Sequence, residues 1–128
     1  MDNSAEDASL EKRHMDNPIE NASFRFAVRI VKFSKWLRKE HNEYELASQI
    51  LRSGTSIGAN VAEAQYAQSK KDFVSKMHIA LKESYETKYW LRLLVASDIV
   101  PSENLKPLMS DVDELLKMLT SIVKKAKV

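Results

Sequence analysis

Residues 51–64 have the sequence Leu-Arg-Ser-Gly-Thr-Ser-Ile-Gly-Ala-Asn-Val-Ala-Glu-Ala, a helical pattern in which small side chains dominate. Its apolar face contains Ile57 and Val61, four residues apart. Gly54 and Gly58 each cost about 1 kcal/mol relative to alanine inside a helix. Close packing against a neighbouring backbone is the usual compensation, so the segment predicts a tight helix–helix seam. A kink or a break near Gly54 is the alternative.

Helical spacing of apolar residues recurs on both sides of this segment, separated by short polar links. The apolar stripes of the first, third and fourth predicted helices include Phe26, Ile30, Phe33 and Leu37; Phe73, Met77, Leu81, Leu91 and Leu94; and Leu108, Val112, Leu115, Leu119 and Ile122. Four amphipathic helices with short links predict an all-α fold, an antiparallel up-down four-helix bundle that spans residues 23–125.

Two helix starts carry recognisable signals. Ser69 and Asp72 have the spacing of a capping box, with Asp in place of Glu or Gln, just before the third apolar stripe. The fourth helix starts around Ser102 or Asn104. Pro107 favours Asn104 as the cap, because proline would then lie in the first turn, where no amide donor is needed.

The length of 128 residues and a composition of 44% hydrophobic and 30% charged residues are typical of one helical domain. There is no cysteine, which excludes disulfides and thiolate chemistry. No apolar run is long enough to span a bilayer, and the start of the chain does not resemble a signal peptide, so a cytoplasmic location is expected without membrane association. Residues 1–22 hold six acids against two bases and are predicted to form a disordered acidic tail.

The remainder of the chain is basic, which is compatible with binding to polyanions. The candidate nucleic-acid contacts are Arg25, Arg29, Lys32, Arg52, Lys70 and Lys71. Phosphate contacts require only a cation within reach, and a solvated helix face gives the same pattern.

The sequence offers no catalytic constellation, and we expect neither an enzyme nor a bound metal or cofactor. His78 is the only histidine near Glu83 and Glu86, and its position five residues before Glu83 does not give the Glu-x-x-His motif of di-iron bundles.

Asn60 and Glu63 lie three residues apart and are the strongly polar members of the small-residue segment. They are interpreted as a buried, hydrogen-bonded pair that fixes helix register, with Ser56, Glu86 or a neighbouring subunit as a further partner. A polar ring at a subunit interface or a ligand site is the alternative.

Tyr85, Tyr89 and Trp90 cluster on the third helix, partly outside its core stripe. Large aromatic side chains that a single bundle cannot bury predict an oligomer interface. A platform for base stacking is the alternative.

Several motifs together resemble the bacterial four helix bundle proteins, also called the 23S ribosomal RNA intervening-sequence protein family. They are residues 51–64, Ser69-Lys-Lys-Asp-Phe73, Glu86-Thr-Lys-Tyr-Trp-Leu91 and the segment 23–31. The resemblance covers residues 23 to about 125, and the residues that carry it include Ser56, Gly58, Asn60, Glu63, Ser69, Asp72 and Glu86. It implies an up-down bundle and similarity to subunits of pentameric rings.

The resemblance implies no settled biochemical activity. Some members are encoded inside intervening sequences of large ribosomal RNA genes, and a related branch serves diversity-generating retroelements by binding a reverse transcriptase and nucleic acid. We therefore expect a non-enzymatic homo-oligomer, a pentamer, that associates with RNA or DNA backbone. A scaffold that docks a partner enzyme, without direct nucleic-acid function, is the alternative.

Overall fold

The computed structural model describes residues 17–127, and this part of the chain contains four α-helices and no strand. They are α1 (Pro18–His41), α2 (Glu45–Ala64), α3 (Lys70–Ala96) and α4 (Ser102–Ala126). Each helix packs on the next, and α4 returns to α1, so that the four enclose one core. The predicted all-α antiparallel four-helix bundle is confirmed.

The bundle begins earlier than the predicted boundary at Ser23. Asn17 caps α1, because its side-chain oxygen accepts a hydrogen bond from the Glu20 amide at 3.2 Å. Pro18 then occupies the first helical position, where its missing N–H costs nothing. Assigning residues 17–22 to the tail was wrong because the Asn-Pro pair is a helix start; the rest of the predicted tail, residues 1–16, lies outside the described residues.

One continuous apolar core runs the length of the bundle and contains residues from all four helices. Its largest fully buried side chains are Phe26, Ile30, Leu37, Ile50, Ile57, Met77, Leu91, Leu94, Leu105, Leu115 and Leu119. Most of these positions lie on the predicted stripes, since helical spacing places them on the inward faces. Leu105 precedes the predicted fourth stripe, and the predicted stripe residues Phe33, Phe73, Leu81 and Ile122 are only partly buried.

The small residues of α2 form the predicted close seam with α1. A Cβ atom added to Gly54 would lie 2.8 Å from both γ carbons of Ile30, and one added to Gly58 would lie 3.2 Å from the Ser23 carbonyl oxygen. Helix α2 continues through Gly54 without interruption, so the alternative of a break there is excluded.

The start of α3 is capped as predicted. Ser69 Oγ accepts a hydrogen bond from the Asp72 amide at 3.0 Å. Asp72 reaches back in turn, although its carboxylate accepts from the Gln68 amide, at 3.3 Å, rather than from the amide of the capping residue.

The prediction that Asn104 caps α4 was wrong, because the cap position is occupied by Pro101. Pro101 has an extended conformation (φ −61°, ψ 144°), and its carbonyl oxygen accepts from the Asn104 amide at 3.1 Å. The helix therefore begins at Ser102, two residues before the expected cap. Pro107 consequently lies inside the helix, beyond the first turn.

Candidate functional site

The three predicted nucleic-acid contacts on α1 have different environments. Arg29 forms an ion pair with Asp111 of α4 and so ties the first helix to the last. Arg25 and Lys32 are exposed and have no ion pair among residues 17–127. A cavity of about 170 Å³ is lined by Arg25 and Arg29 together with Asp111 and Glu114, so the two carboxylates offset the two arginines and make it a poor anion site.

The remaining predicted contacts do not extend this surface. The Arg52 side chain is directed at α3. It forms an ion pair with Glu86, and its Nη1 atom lies 3.5 Å from Oε2 of Glu83. Lys70 and Lys71 are exposed at the start of α3. The six cations predicted from the sequence are thus dispersed, and two of them hold helices together instead of facing a ligand.

Glu86 is the centre of a polar cluster between α2 and α3. Its carboxylate pairs with Arg52, and the same oxygen accepts a hydrogen bond from the indole Nε1 of Trp90 at 3.0 Å. Trp90 is half-buried against the core, and its ring contacts Tyr89 edge-on with 5.1 Å between ring centroids and an angle of 74°. Glu86 therefore orients an aromatic pair at the surface.

The outward face of α3 carries a regular row of cations and aromatic rings. This row, called the α3 stripe below, consists of Lys71, His78, Lys82, Tyr85, Tyr89 and Arg92. Its members are separated by seven, four, three, four and three residues, so they lie on one face of the helix. All six are exposed, and within the described residues none of its cations forms an ion pair.

The end of the α3 stripe opens onto an apolar groove of about 420 Å³ between α3 and α4. The groove is lined by Leu91, Val95, Leu105 and Met109, with Arg92 and Lys106 among its polar neighbours. Arg92 therefore belongs to both the stripe and the groove.

The predicted buried pair of Asn60 and Glu63 is not formed. The side-chain amide of Asn60 donates to the Ser56 carbonyl oxygen, one turn earlier, at 2.8 Å. Glu63 is exposed, and its carboxylate oxygen Oε2 lies 3.5 Å from Nζ of Lys76 on α3. A buried polar contact of the small-residue segment is instead made across to α3, between Ser53 and Thr87, whose hydroxyl oxygens are 2.9 Å apart.

Sequence reasoning missed two exposed surfaces. One is the set of cations that flank the tyrosines of the α3 stripe, although their spacing of three and four was visible. The other is an apolar row on the outside of α1, formed by Phe24, Val28 and Val31 and called the α1 row below; Phe24 is 68% exposed. The α1 row escaped notice because the core stripe of the same helix is longer and more regular.

No cluster of three or more metal-ligating side chains occurs within residues 17–127. Within the same part of the chain, no helix combines the length and the apolar character required to cross a bilayer.

Fold and surface together define a small bundle of four α-helices. The chain belongs to the 23S rRNA-intervening sequence protein family, whose model matches residues 15–121. A solved structure from Bacteroides thetaiotaomicron, a protein of unknown function from the S23 ribosomal protein family, is 48% identical with a TM-score of 0.81. The match covers 83% of this chain and 98% of that one. No curated protein matched the chain.

Proposed function

We propose that this chain is a non-enzymatic, cytoplasmic bundle that associates with the phosphate backbone of RNA or DNA. The observation that carries the proposal is the surplus of exposed cations that take part in no ion pair among residues 17–127. There are twelve of them: Arg25, Lys32, Lys35, Lys39, Lys71, Lys82, Arg92, Lys106, Lys117, Lys124, Lys125 and Lys127.

Exposed acids do not balance this set. Five carboxylates are exposed and unpaired in the same part of the chain: Glu40, Glu45, Asp98, Glu103 and Glu114. A surface with this surplus attracts polyanions, and each cation that neutralises a phosphate releases counterions and so contributes affinity. The internal ion pairs of Arg29 and Arg52 make them structural ties, while Arg25, Lys32 and Lys71 stay available.

Self-association is a second part of the proposal, with the pentamer that the family resemblance implies. The α1 row supports it and replaces the interface of Tyr85, Tyr89 and Trp90 expected from the sequence, because exposed apolar side chains at spacings of four and three form a strip suited to a neighbouring helix. Repetition of a weakly binding surface around a ring increases its avidity for a long strand. Light scattering at micromolar concentration tests assembly, and a mass near 14.7 kDa would contradict it.

The α1 row also favours the alternative function, a scaffold that docks a partner protein. The two functions differ in their response to salt. Phosphate contacts weaken steeply as salt rises, with a slope set by the number of phosphates neutralised, whereas an apolar protein interface responds only weakly.

Fluorescence anisotropy with a labelled RNA hairpin and a labelled DNA duplex, at several salt concentrations, tests the nucleic-acid function. We expect binding at low salt that weakens steeply as salt rises. Poly-glutamate serves as a competitor that has charge but no phosphate, and it should displace the probes only at a large excess. Failure to bind either probe at low salt would overturn the proposal and leave the scaffold function.

A further inference from the structure

We infer that the α3 stripe is a stacking surface for single-stranded nucleic acid, on which Tyr85 and Tyr89 contact bases while Lys82 and Arg92 contact phosphates. This inference rests on the proposed function and specifies the form of nucleic acid that the bundle takes.

The stripe combines the two kinds of contact that a single strand requires. Lys82 precedes Tyr85 by three residues, and Arg92 follows Tyr89 by three, so that each ring has a cation about one turn away on the same face. Base–aromatic stacking together with a cationic track along the backbone is the common mode of single-strand binding without sequence preference.

Both tyrosines present accessible rings. Tyr85 is 58% exposed and Tyr89 is 57% exposed, and no hydrogen bond within the described residues engages either hydroxyl. The two side chains are four residues apart, a rise of about 6 Å along the helix axis. Successive bases of an extended strand can therefore reach the two rings in turn.

Tyr89 is oriented by its neighbours before any ligand binds. Its ring makes a T-shaped contact with Trp90, and the Trp90 indole is held by its hydrogen bond to Glu86. Glu86 is in turn paired with Arg52 of α2. A ring that is already ordered loses less conformational entropy on binding. This pre-ordering supports the interpretation that the exposed Tyr89 ring is a binding contact.

The geometry selects a single strand over a duplex. A duplex hides the faces of its bases in the stack, so tyrosines on a helix surface cannot reach them, whereas unpaired bases offer both faces. The apolar groove beside Arg92 adds a recess that a splayed base can approach.

A protein partner fits the α3 stripe less well. An amphipathic protein segment requires a continuous apolar strip, which the bundle offers in the α1 row. On α3 the two adjacent aromatic rings are instead flanked by Lys82 on one side and Arg92 on the other, an arrangement that matches two stacked bases with phosphate contacts at both ends.

The test compares labelled oligothymidine and oligouridine of about 20 nucleotides with a DNA duplex of equal length, by anisotropy at fixed low salt. We expect the wild-type chain to bind the single strands more tightly than the duplex. Replacing both Tyr85 and Tyr89 by alanine should weaken single-strand binding by at least about fivefold for each ring lost and leave duplex binding unchanged. Replacing both by phenylalanine, which keeps the rings, should preserve affinity.

Matched controls separate site effects from general ones. Tyr44→Ala removes another exposed tyrosine, 60% exposed, outside the α3 stripe and should leave single-strand affinity unchanged. The pair Lys82→Ala and Arg92→Ala should weaken single-strand binding more than the pair Lys35→Ala and Lys39→Ala, which removes equal charge from α1. Circular dichroism of each variant confirms that the bundle is intact.

The failures of the two proposals are distinguishable. Equal affinity for single strand and duplex, with the double tyrosine-to-alanine variant unchanged, would overturn the stacking surface and leave backbone binding in place. Absence of binding to all probes at low salt would overturn the proposed function and this inference with it.

Discussion

Glu86 and Trp90 lie one turn apart on α3, and a single carboxylate oxygen of Glu86 accepts the indole hydrogen bond at 3.0 Å while it also pairs with Arg52 of α2. One side chain therefore links two helices and fixes the orientation of an aromatic ring. From the sequence, Glu86 was a residue of the family motif and a possible partner of the Asn60–Glu63 pair. Its position shows a structural role for that motif residue.

Replacing Glu86 by alanine should lower the free energy of unfolding by about 1 kcal/mol, because it removes a charge-assisted hydrogen bond from a partly exposed site. It should also shift the Trp90 emission to longer wavelength as the indole loses its anchor. Urea unfolding and fluorescence in a Trp36→Phe background measure both effects.

Glu83→Ala is the matched control for Glu86, since Glu83 has only the longer contact of 3.5 Å with Arg52. It should lower the free energy of unfolding by less than about 0.5 kcal/mol and leave the Trp90 emission unchanged. Equal effects of the two alanine variants would show that Glu86 has no special role.

Gly54→Ala should destabilise the bundle although alanine favours helix. The added methyl would lie 2.8 Å from two carbons of the fully buried Ile30, and overpacking of this kind costs about 1–3 kcal/mol, against a gain of about 1 kcal/mol in helix propensity. The midpoint of urea unfolding measures the balance.

A double-mutant cycle isolates the cause of the Gly54 effect. In an Ile30→Ala background the two clashing carbons are gone, so Gly54→Ala should become neutral or stabilising. If the substitution is as harmful in that background as in the wild type, the clash with Ile30 is not its origin.

Ser53 and Thr87 share a buried hydrogen bond between α2 and α3. Thr87→Val should cost about 1–2 kcal/mol, because it leaves the Ser53 hydroxyl buried without this partner. The double variant with Ser53→Ala should cost less than the sum of the two single variants, as measured by chemical unfolding. Strict additivity would argue that the two hydroxyl groups are not coupled.

Asn17→Ala should destabilise the protein by about 1 kcal/mol through loss of the α1 cap. It also removes the hydrogen bond from the Asn17 amide to Gln65 at the end of α2, at 3.1 Å. Asn104→Ala is the control, since Asn104 is exposed inside α4 and should cost less than about 0.5 kcal/mol. Thermal unfolding of both variants measures the difference, and a larger effect at Asn104 would contradict the start of α4 at Ser102.

The fold was predictable because the apolar residues repeat with helical spacing, and the links are too short for any but antiparallel neighbours. The start of α1 was missed because residues 1–22 were assigned to a disordered acidic tail, whereas Asn17-Pro18, a capping side chain followed by proline, is a helix start. The apolar spacing and the Asn-Pro helix start are both local signals that the sequence contains.

The candidate site was less predictable, because the availability of a cation depends on residues distant in sequence. Arg29 is neutralised by Asp111, 82 positions away, and Arg52 by Glu86, 34 positions away. No local pattern distinguishes these arginines from Arg25 or Lys32. Tyr85 and Tyr89 were recognised as exposed. Their flanking cations can be assigned to the same exposed face only when the buried face of α3 is known.

Helix α3 contains neither glycine nor proline in its 27 residues. Sharp bends in helices arise mostly at such residues or at inserted turns, so α3 acts as a stiff rod of about 40 Å. Contacts along such a rod have a fixed pitch, and a molecule laid on it must adjust its own conformation to match. For a strand bound on the proposed α3 stripe, the conformational cost of recognition would fall on the strand, and chain stiffness would become a criterion by which the bundle discriminates among strands.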